Sequence, residues 1–368
     1  MGKDFDSDFT KITTLTATTK WPATQTATPD GWVEASDMAD YSLAQSNAAF
    51  ANLIINGGMQ VAQLGTSFTS ATTPANNDDT YTLDQWILLS DGNDIVDVTQ
   101  STDAPTGALY SLSMDVETAN KKFGVMQPLE RRDCVGVIGG QASLSVQLKT
   151  TGSSLTNVKA VVLSWNSTAD TITSDVVSAW GADGVTPTWA ANWTAENTPA
   201  NLSVTTSWAE YRIEGISVDT ASAKNLAVFI WSDKTTTTLT DTLLVSAVSL
   251  VPGVTARAYQ ERGKAAELVR CKWSREIINT YHGWILNATT LMGKLSYSEK
   301  RTTPSIATSG TITIFDGASG TFSASASVGT SSIKATGSPY FRLTGFTGLT
   351  SPRQFIMIDG SLIIRAQL

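Results

Sequence analysis

The stretch ANLIINGGMQVAQLGTSF at residues 51–68, followed by YTLDQW at residues 81–86, decides how the fold is interpreted. Its apolar run stops at Asn56-Gly57-Gly58, where glycine supplies the backbone angles that a tight turn needs. In the second segment, apolar and polar side chains mix and lead into the apolar run at residues 87–89, which is typical of a strand with one partly solvated face. We therefore expect this stretch to open a β-sandwich.

Short apolar runs recur from residue 87 to residue 254 without an evident helix. In one of them, Leu144, Val146 and Leu148 fall on one face, and the polar residues between them fall on the other. The predicted strands cover residues 109–116, 142–149, 159–165, 210–218, 225–231 and 242–250. Six or more such strands imply a mainly β protein with a two-sheet antiparallel sandwich over residues 51–255.

The opening stretch resembles the start of a module common in phage and prophage tail-fibre and minor structural proteins, which is often described as carbohydrate-binding-like. Leu64 stands where this family usually has arginine, and Gln85 stands where it often has arginine. The matching residues are Asn52, Leu53, Asn56, Gly57, Met59, Val61, Gln63, Gly65, Thr66, Ser67 and Phe68, followed by Tyr81, Thr82, Asp84 and Trp86.

A second anchor for this resemblance lies far downstream. The segments VSLVPG at residues 248–253, YQER at residues 259–262 and ELVRC at residues 267–271 resemble the closing strand and helix of the family, with Trp273 and Ser274 in place of its last two motif residues. The two anchors occur in the order that the family shows.

The resemblance implies a jelly-roll sandwich in a structural component of a tailed-phage virion, a tail fibre or similar appendage that contacts host surface glycans. It also implies a homotrimer that belongs to the virion and is assembled in the host cytoplasm. Three alternatives stay open: a head-fibre or decoration protein on the capsid, a glycan-cleaving tail spike, and a free sugar-binding module.

Residues 1–50 differ from the rest of the chain. They contain Trp21 and Trp32 near prolines but little core-forming periodicity. We interpret them as an extended arm for oligomerisation or for attachment to other virion proteins, with a flexible leader as the alternative.

Beyond the sandwich, two more segments are predicted. Residues 256–280 have the pattern of an amphipathic helix that begins near Gly263. Residues 281–368 predict a small β-rich module that ends in a hairpin across Asp359-Gly360, because Asp-Gly between apolar runs is a strong hairpin signal. The apolar stripe of the predicted helix consists of Ala266, Val269, Trp273 and Ile277.

Composition narrows the classes of partner. The chain has 25 basic and 33 acidic residues, a net charge of −8, which opposes binding to a phosphate backbone, so we expect no nucleic-acid partner. No apolar segment approaches the ~20 residues that span a bilayer, so we expect no membrane insertion. Cys134 and Cys271 lack metal-like spacing and are predicted to be buried thiols, with a disulfide between them as the alternative.

Residues for catalysis are sparse. His282 is the one histidine, and neither a nucleophile elbow nor a phosphate-binding loop occurs, so we predict no enzymatic activity, no metal site and no cofactor. Carboxylates close together in sequence could in principle form a glycosidase pair, and the candidates are Asp78 and Asp79, or Asp91, Asp94 and Asp97. The run that contains Asp91 and Asp94 could hold an incidental calcium ion, although a turn is the simpler interpretation.

Tryptophans are the stronger signal for a binding site. Trp180, Trp189 and Trp193 crowd a segment of small and polar residues. Their flat rings could stack on sugars, with Asp183 and Asn192 offering hydrogen bonds. The alternative is that the same rings fasten a long loop onto the sandwich.

Overall fold

The computed structural model describes residues 52–218, 222–318, 320–329 and 331–368, together with the backbone of two short segments, Lys20–Pro22 (β1) and Trp32–Glu34 (β2). Strands β1 and β2 pair antiparallel. The rest of the predicted N-terminal arm, residues 1–50, lies outside the described residues. From Leu53 to Leu368 the chain forms one compact unit.

An antiparallel jelly-roll β-sandwich occupies the first two thirds of this unit, as the sequence predicted. Its elements are β3 (Ser67–Phe68), β4 (Thr80–Tyr81), β5 (Ile87–Ser90), β6 (Val96–Ser101), β7 (Ser111–Val116), β8 (Phe123–Leu129), α1 (Arg131–Cys134), β9 (Gln141–Thr150), β10 (Val158–Trp165), β11 (Val177–Ala179), β12 (Thr188–Trp189), β13 (Trp193–Ala195), β14 (Ala209–Ser217), β15 (Asn225–Ser232) and β16 (Thr242–Pro252). One sheet has the order β13-β10-β15-β8-β5-β4 and the other β14-β9-β16-β7-β6-β3.

The main core lies between these two sheets. The predicted inward face of β9 is confirmed, because Leu144, Val146 and Leu148 are at most 1% exposed and pack in this core. Strand β15 contributes Leu226 and Val228 from the opposite sheet. Fully burying such an aliphatic side chain stabilises the fold by about 1.5–3 kcal/mol.

A second apolar cluster covers the outer face of the first sheet. Strands β8, β10 and β15 are buried at every position, which explains why they are nearly continuous apolar runs rather than alternating ones. The cover is the long connection between β10 and β13, which contains the small ribbon β11-β12. Phe229 and Trp231 of β15 lie beneath it.

The chain then enters helix α2 (Lys264–Ser274) and a further antiparallel sheet, the C-terminal sheet. The strands are β17 (Arg275–Ile278), β18 (His282–Asn287), β19 (Thr290–Leu295), β20 (Ser305–Phe315), β21 (Thr321–Ala324), β22 (Ser327–Val328), β23 (Ser338–Thr344) and β24 (Gln354–Arg365). Their order is β21-β20-β24-β18-β19-β23-β22, and β17 pairs with β24. This C-terminal sheet has a core of its own that includes Tyr281, Phe341 and Leu362.

The predicted helix over residues 256–280 is too long, and its predicted buried stripe is wrong. Helix α2 ends at Ser274 because Arg275 is extended and pairs with Arg365 of β24. Val269 is 70% exposed, whereas Glu267 is 1% exposed and Cys271 is fully buried. The helix docks through polar contacts that hydrophobic periodicity does not detect.

The predicted hairpin across Asp359-Gly360 is also wrong. The segment is one continuous strand, β24, because both of its halves pair with the long strand β20. The register shifts near Asp359, and Gly360 adopts a φ of 89° at this irregularity. The Asp-Gly pair therefore lies at an irregularity in strand pairing, within a long strand, instead of in a turn.

Both cysteines are buried free thiols, as predicted, and the alternative of a disulfide is wrong. Burial raises the pKa of the Cys134 thiol to about 12. Within the described residues, no helix is long and apolar enough to cross a membrane.

Candidate functional site

The residues that carry the family resemblance form a buried polar cluster between the sandwich and helix α2, which we call the motif hub: Asn56, Gln63, Asp84, Arg262 and Glu267. The Asn56 side chain donates to the carbonyls of Val61 and Asp84 at 2.9 and 3.0 Å and accepts from the Val61 N–H at 2.9 Å. Its backbone N–H donates to Glu267 Oε2 at 3.0 Å. The two motif anchors, which are distant in sequence, therefore meet at one hydrogen bond.

The glycines after Asn56 are required by close packing. A Cβ atom on Gly57 would lie 2.2 Å from the carbonyl oxygen of Val248 in β16, and one on Gly58 would lie 2.6 Å from the Tyr259 hydroxyl. Because the Val248 N–H also donates to the Gly57 carbonyl at 3.0 Å, the backbone approaches β16 directly. The Asn-Gly-Gly turn thus fixes the entry of the chain into the sandwich.

In the rest of the motif hub, each charged side chain has a hydrogen-bonding or ion-pair partner. The side-chain amide and backbone N–H of Gln63 donate to the two carboxylate oxygens of Asp84, each at 2.6 Å. Arg262 Nη1 lies 2.7 Å from Glu267 Oε1 and also donates to the Ile54 carbonyl at 3.1 Å. These contacts place the motif residues in a structural role.

The predicted glycan residues lie together on the connection between β10 and β13, which we call the tryptophan loop, residues 166–192 with Trp193 at its end. Trp193 is 5% exposed, and its ring centroid lies 5.3 Å from that of Trp165. Its indole N–H donates to the Thr173 hydroxyl at 3.1 Å. This ring supports the loop from below and offers no open face.

Trp180 and Trp189 are half-buried at the surface of the loop. Trp180 meets Phe229 edge-on at 6.0 Å between ring centroids, and Trp189 meets Trp231 edge-on at 5.9 Å. Edge-to-face contacts of this kind fix the orientation of the rings. Two of the three predicted tryptophans therefore present part of their surface in a fixed position.

A buried charge cluster, the lysine clamp, anchors the loop. Asp233 Oδ1 lies 2.5 Å from Lys122 Nζ, and Asp233 Oδ2 lies 2.6 Å from Lys159 Nζ. The cluster has one positive charge in excess, which the loop solvates with backbone carbonyls. Lys122 donates to the carbonyls of Trp180 and Val185 at 3.0 and 2.7 Å, and Lys159 donates to that of Gly184 at 3.2 Å.

The two polar residues predicted for glycan contact are exposed turn residues. Asp183 accepts from Lys234 Nζ and from the Thr235 N–H, at 2.7 and 2.6 Å, and these bonds lower the pKa of its carboxyl. Asn192 has a φ of 69° in the turn before Trp193, whose N–H donates to the Ala190 carbonyl. Asn192 keeps an exposed side chain beside the loop.

The predicted acidic candidates separate into two groups. Asp91 pairs with Lys121 at 3.1 Å, while Asp94 and Asp97 each accept from the Asn76 amide at 2.9 Å. Across the described part of the chain, no group of three or more acidic, histidine or cysteine side chains is arranged to hold a metal ion.

Asp78 and Asp79 lie near Asp175. Burial, opposed by a hydrogen bond from the Ser90 N–H and reinforced by Asp175, raises the pKa of Asp78 to about 6. Burial also raises the pKa of Asp79 and of Asp175. His282, the other residue considered for chemistry, is exposed on β18.

Comparisons with known proteins found similarity among solved structures. No protein-family model and no curated protein sequence matches the chain. A solved structure of the enzymatically active domain of bacteriophage CBA120 tailspike protein 4 is similar at 14% identity and a TM-score of 0.33, over 55% of this chain and 22% of that one. The carbohydrate-binding module TmCBM61, solved with β-1,4-galactotriose, is similar at 14% identity and a TM-score of 0.30, over 55% of this chain and 98% of that one.

A putative sugar-binding protein from Bacteroides thetaiotaomicron is similar at 14% identity and a TM-score of 0.32, over 55% of this chain and 99% of that one. The chain spans about a fifth of the length of the tailspike domain. At these TM-scores neither the position of a site nor a function follows from the similarity.

Proposed function

We propose that this chain is a non-enzymatic structural component of a tailed-phage virion, a homotrimeric tail fibre or similar appendage that contacts host surface glycans. The observation that carries the proposal is the hydrogen bond between Asn56 and Glu267, which joins the two motif anchors in one buried hub. The two parts of the family motif depend on each other physically, and this supports the assignment to the phage module. Residues 1–50 would attach the chain to other virion proteins.

Labelling of purified phage particles with an antibody against this chain, viewed by electron microscopy, tests the location. Label at the tail or its fibres is the expected result. Label on the capsid would instead support the head-fibre or decoration alternative. Absence of label from every particle would contradict a virion component of any kind.

The tryptophan loop supports the glycan contact. Trp180 and Trp189 are held in place by aromatic contacts and by the lysine clamp, so stacking on a sugar ring would require little ordering of the protein. Asn192 and the exposed edge of Asp183 lie on the same loop and offer hydrogen-bonding groups, while Trp193 supports the loop from within.

A glycan array with the wild type, Trp180→Ala and Trp189→Ala tests this contact. We expect each substitution to weaken binding by roughly tenfold or more, about 1.4 kcal/mol. Trp208→Ala is the matched control, because Trp208 is also half-buried but lies just before β14 of the other sheet, where its indole N–H donates to Asp103 at 2.8 Å. A blank array with folded wild-type protein would refute glycan contact.

One observation favours the glycan-cleaving alternative. A carboxyl group whose pKa is raised to about 6, as for Asp78, is suited to donate a proton near neutral pH, and Asp79 and Asp175 lie nearby. Incubation of host polysaccharide with the protein decides between the two functions. New reducing ends that Asp78→Asn abolishes would establish cleavage, whereas their absence agrees with a non-enzymatic component.

A further inference from the structure

The C-terminal sheet has one face on its core and a second face, here called the outer face, that the described residues leave uncovered. On β18, Ile285 points into the core, so its neighbours Trp284 and Leu286 point outward. On β24, Phe355 and Met357 likewise face the core. The side chains that occupy the outer face are Trp284, Leu286, Phe315, Tyr340, Ile356 and Ile358.

These six side chains are unusually exposed for their size. Their exposed fractions run from 41% for Leu286 to 63% for Tyr340. Among the described residues, twelve large apolar side chains are exposed in total, so half of them lie on this one face. Single exposed apolar residues are ordinary, whereas a contiguous set marks an interaction site.

Strand register places three of the exposed residues, Phe315, Ile356 and Trp284, next to one another on this face. Phe315 pairs with Ile356, and Ile356 pairs with His282, which forms one row across three strands. A second row, displaced by two residues along the strands, runs through Gln354, Trp284, Met292 and Arg342. At about 4.8 Å between strands, the second row extends roughly 14 Å.

A shallow groove of about 570 Å³ lies at one side of the face. Phe315, Ile356 and His282 are among its lining residues, and the ion pair between Arg353 and Asp316, at 2.9 Å, forms part of its wall. The groove is a depression in the face into which a side chain of a partner can insert.

We infer that the outer face is the surface through which copies of this chain associate, an inference that rests on the proposed homotrimer. The six apolar side chains expose on the order of 600 Å², near the ~800 Å² that each partner contributes to a stable interface. Tryptophan, tyrosine, phenylalanine, methionine and arginine, all present in the two rows or beside them, are the residue types enriched at interfaces.

The chemistry of the face favours a copy of the chain over a glycan. Ile356, Ile358 and Leu286 offer no hydrogen bonds, whereas a sugar site needs several convergent polar groups. The six exposed apolar side chains outnumber the polar ones of the two rows, which are His282, Gln354 and Arg342. A predominantly apolar surface is typical of permanent homomeric interfaces rather than of transient ones. Covering it in the assembled protein removes apolar surface from water.

The first experiment measures the mass of the full chain in solution by light scattering at about 10 μM. We expect a trimer for the wild type, a monomer for Trp284→Glu/Ile356→Glu, and a trimer for the control Leu109→Glu/Val269→Glu, whose two positions are 66% and 70% exposed elsewhere. If the wild type is a trimer and the face variant, Trp284→Glu/Ile356→Glu, is folded and also a trimer, the inference about the outer face is wrong, whereas the proposed homotrimer stands.

A monomeric wild type would overturn the inference together with the homotrimer, while the location on the particle is decided separately by antibody labelling. Loss of glycan binding by the face variant without a change of mass would assign the face to a glycan instead.

The second experiment does not require the interface to be broken. Both native cysteines are fully buried, so Ile356→Cys introduces a single reactive thiol, at a position that is 49% exposed in the isolated chain. In the assembled Ile356→Cys protein we expect this thiol to react with a water-soluble maleimide at least tenfold more slowly than the thiol of Leu109→Cys. Equal rates in both variants would overturn the inference even if the charged variants failed to fold.

Discussion

At the residue scale, the tryptophan loop is held by three charged side chains that are buried in the fold: Lys122, Lys159 and Asp233. Each lies at the end of an apolar strand, where a lysine or aspartate normally reaches solvent. The cost of burial is offset by two ion pairs at 2.5 and 2.6 Å and by the loop carbonyls that accept from the lysines. The fold of the tryptophan loop therefore depends on these few atoms.

Replacing Asp233 tests this dependence. Asp233→Asn leaves two buried lysines without a negative partner, so we expect the free energy of unfolding to fall by about 3–5 kcal/mol. Denaturant unfolding measures it. Lys234→Met removes one member of a solvent-exposed ion pair, Lys234–Asp183, and should lower the free energy of unfolding by less than about 1 kcal/mol. Equal effects of the two changes would contradict the lysine clamp.

Asp78 predicts a specific pH dependence. Its pKa is raised from 3.8 to about 6 in the fold, so the folded protein binds this proton more tightly than the unfolded chain. Stability from this group is therefore greatest at low pH and falls as the pH rises from about 4 to about 6.

The change Asp78→Asn should consequently raise the melting temperature at pH 7 and have little effect at pH 4. Allowing for solvent screening, the gain at pH 7 is about 1 kcal/mol. The asparagine oxygen still accepts from the Ser90 N–H, so the backbone contact is kept. A gain that is the same at both pH values would show that the carboxyl charge is not its cause.

At the element scale, β24 shows how neighbours override a local signal. Asp359-Gly360 has the composition of a two-residue hairpin turn, yet β20 is long enough to pair with β24 on both sides of it. A Cβ atom on Gly360 would lie 2.6 Å from Ile312 Cδ1 and 2.7 Å from the Thr311 carbonyl oxygen. Glycine is needed here for close approach as well as for its positive φ.

Gly360→Ala should therefore destabilise the C-terminal sheet by more than Gly310→Ala. Gly310 also has a positive φ, 70°, but an added Cβ meets nothing within 4 Å. We expect about 1 kcal/mol for Gly310→Ala and about 2–4 kcal/mol for Gly360→Ala, measured by thermal unfolding. Similar costs at the two positions would mean that conformational strain alone matters.

For helix α2 the local pattern predicts where the helix begins but not which of its faces is buried. Its predicted start near Gly263 agrees with the structure, because the helix begins at Lys264. Its orientation is set by Glu267, which accepts from Arg262 and from the Asn56 N–H. A buried glutamate is invisible to hydrophobic periodicity, since that method places every charge in solvent.

At the scale of the whole molecule, polar contacts join the sandwich, helix α2 and the C-terminal sheet. Trp273 of the helix donates to Glu130 at 3.0 Å, and Arg301 lies 3.5 Å from the same carboxylate. Arg301 also donates to the Asp170 carbonyl of the sandwich at 3.0 Å. Unfolding the C-terminal sheet would remove Arg301 from both of these partners in the sandwich.

We therefore expect residues 53–368 to unfold in one cooperative transition. Phe341→Ala removes a fully buried ring from the C-terminal core, which costs about 3–5 kcal/mol. It should lower the unfolding midpoint of the sandwich too, as reported by the tryptophans of the sandwich. An unchanged sandwich transition beside a lowered second one would show that the two β regions unfold independently.

The sequence by itself determined the mainly β class, the two-sheet sandwich and the positions of six of its strands, because each is a short apolar run, alternating with polar residues in β9 and β14 and nearly continuous in β10 and β15. It also identified the tryptophan segment and the stretches that form the motif hub. Only the tertiary structure decided which tryptophans keep exposed surface, where helix α2 ends, and that β24 runs straight through Asp-Gly. Those features depend on residues distant in the chain, such as Asp233 beneath the loop and β20 beside β24, and no local pattern encodes such neighbours.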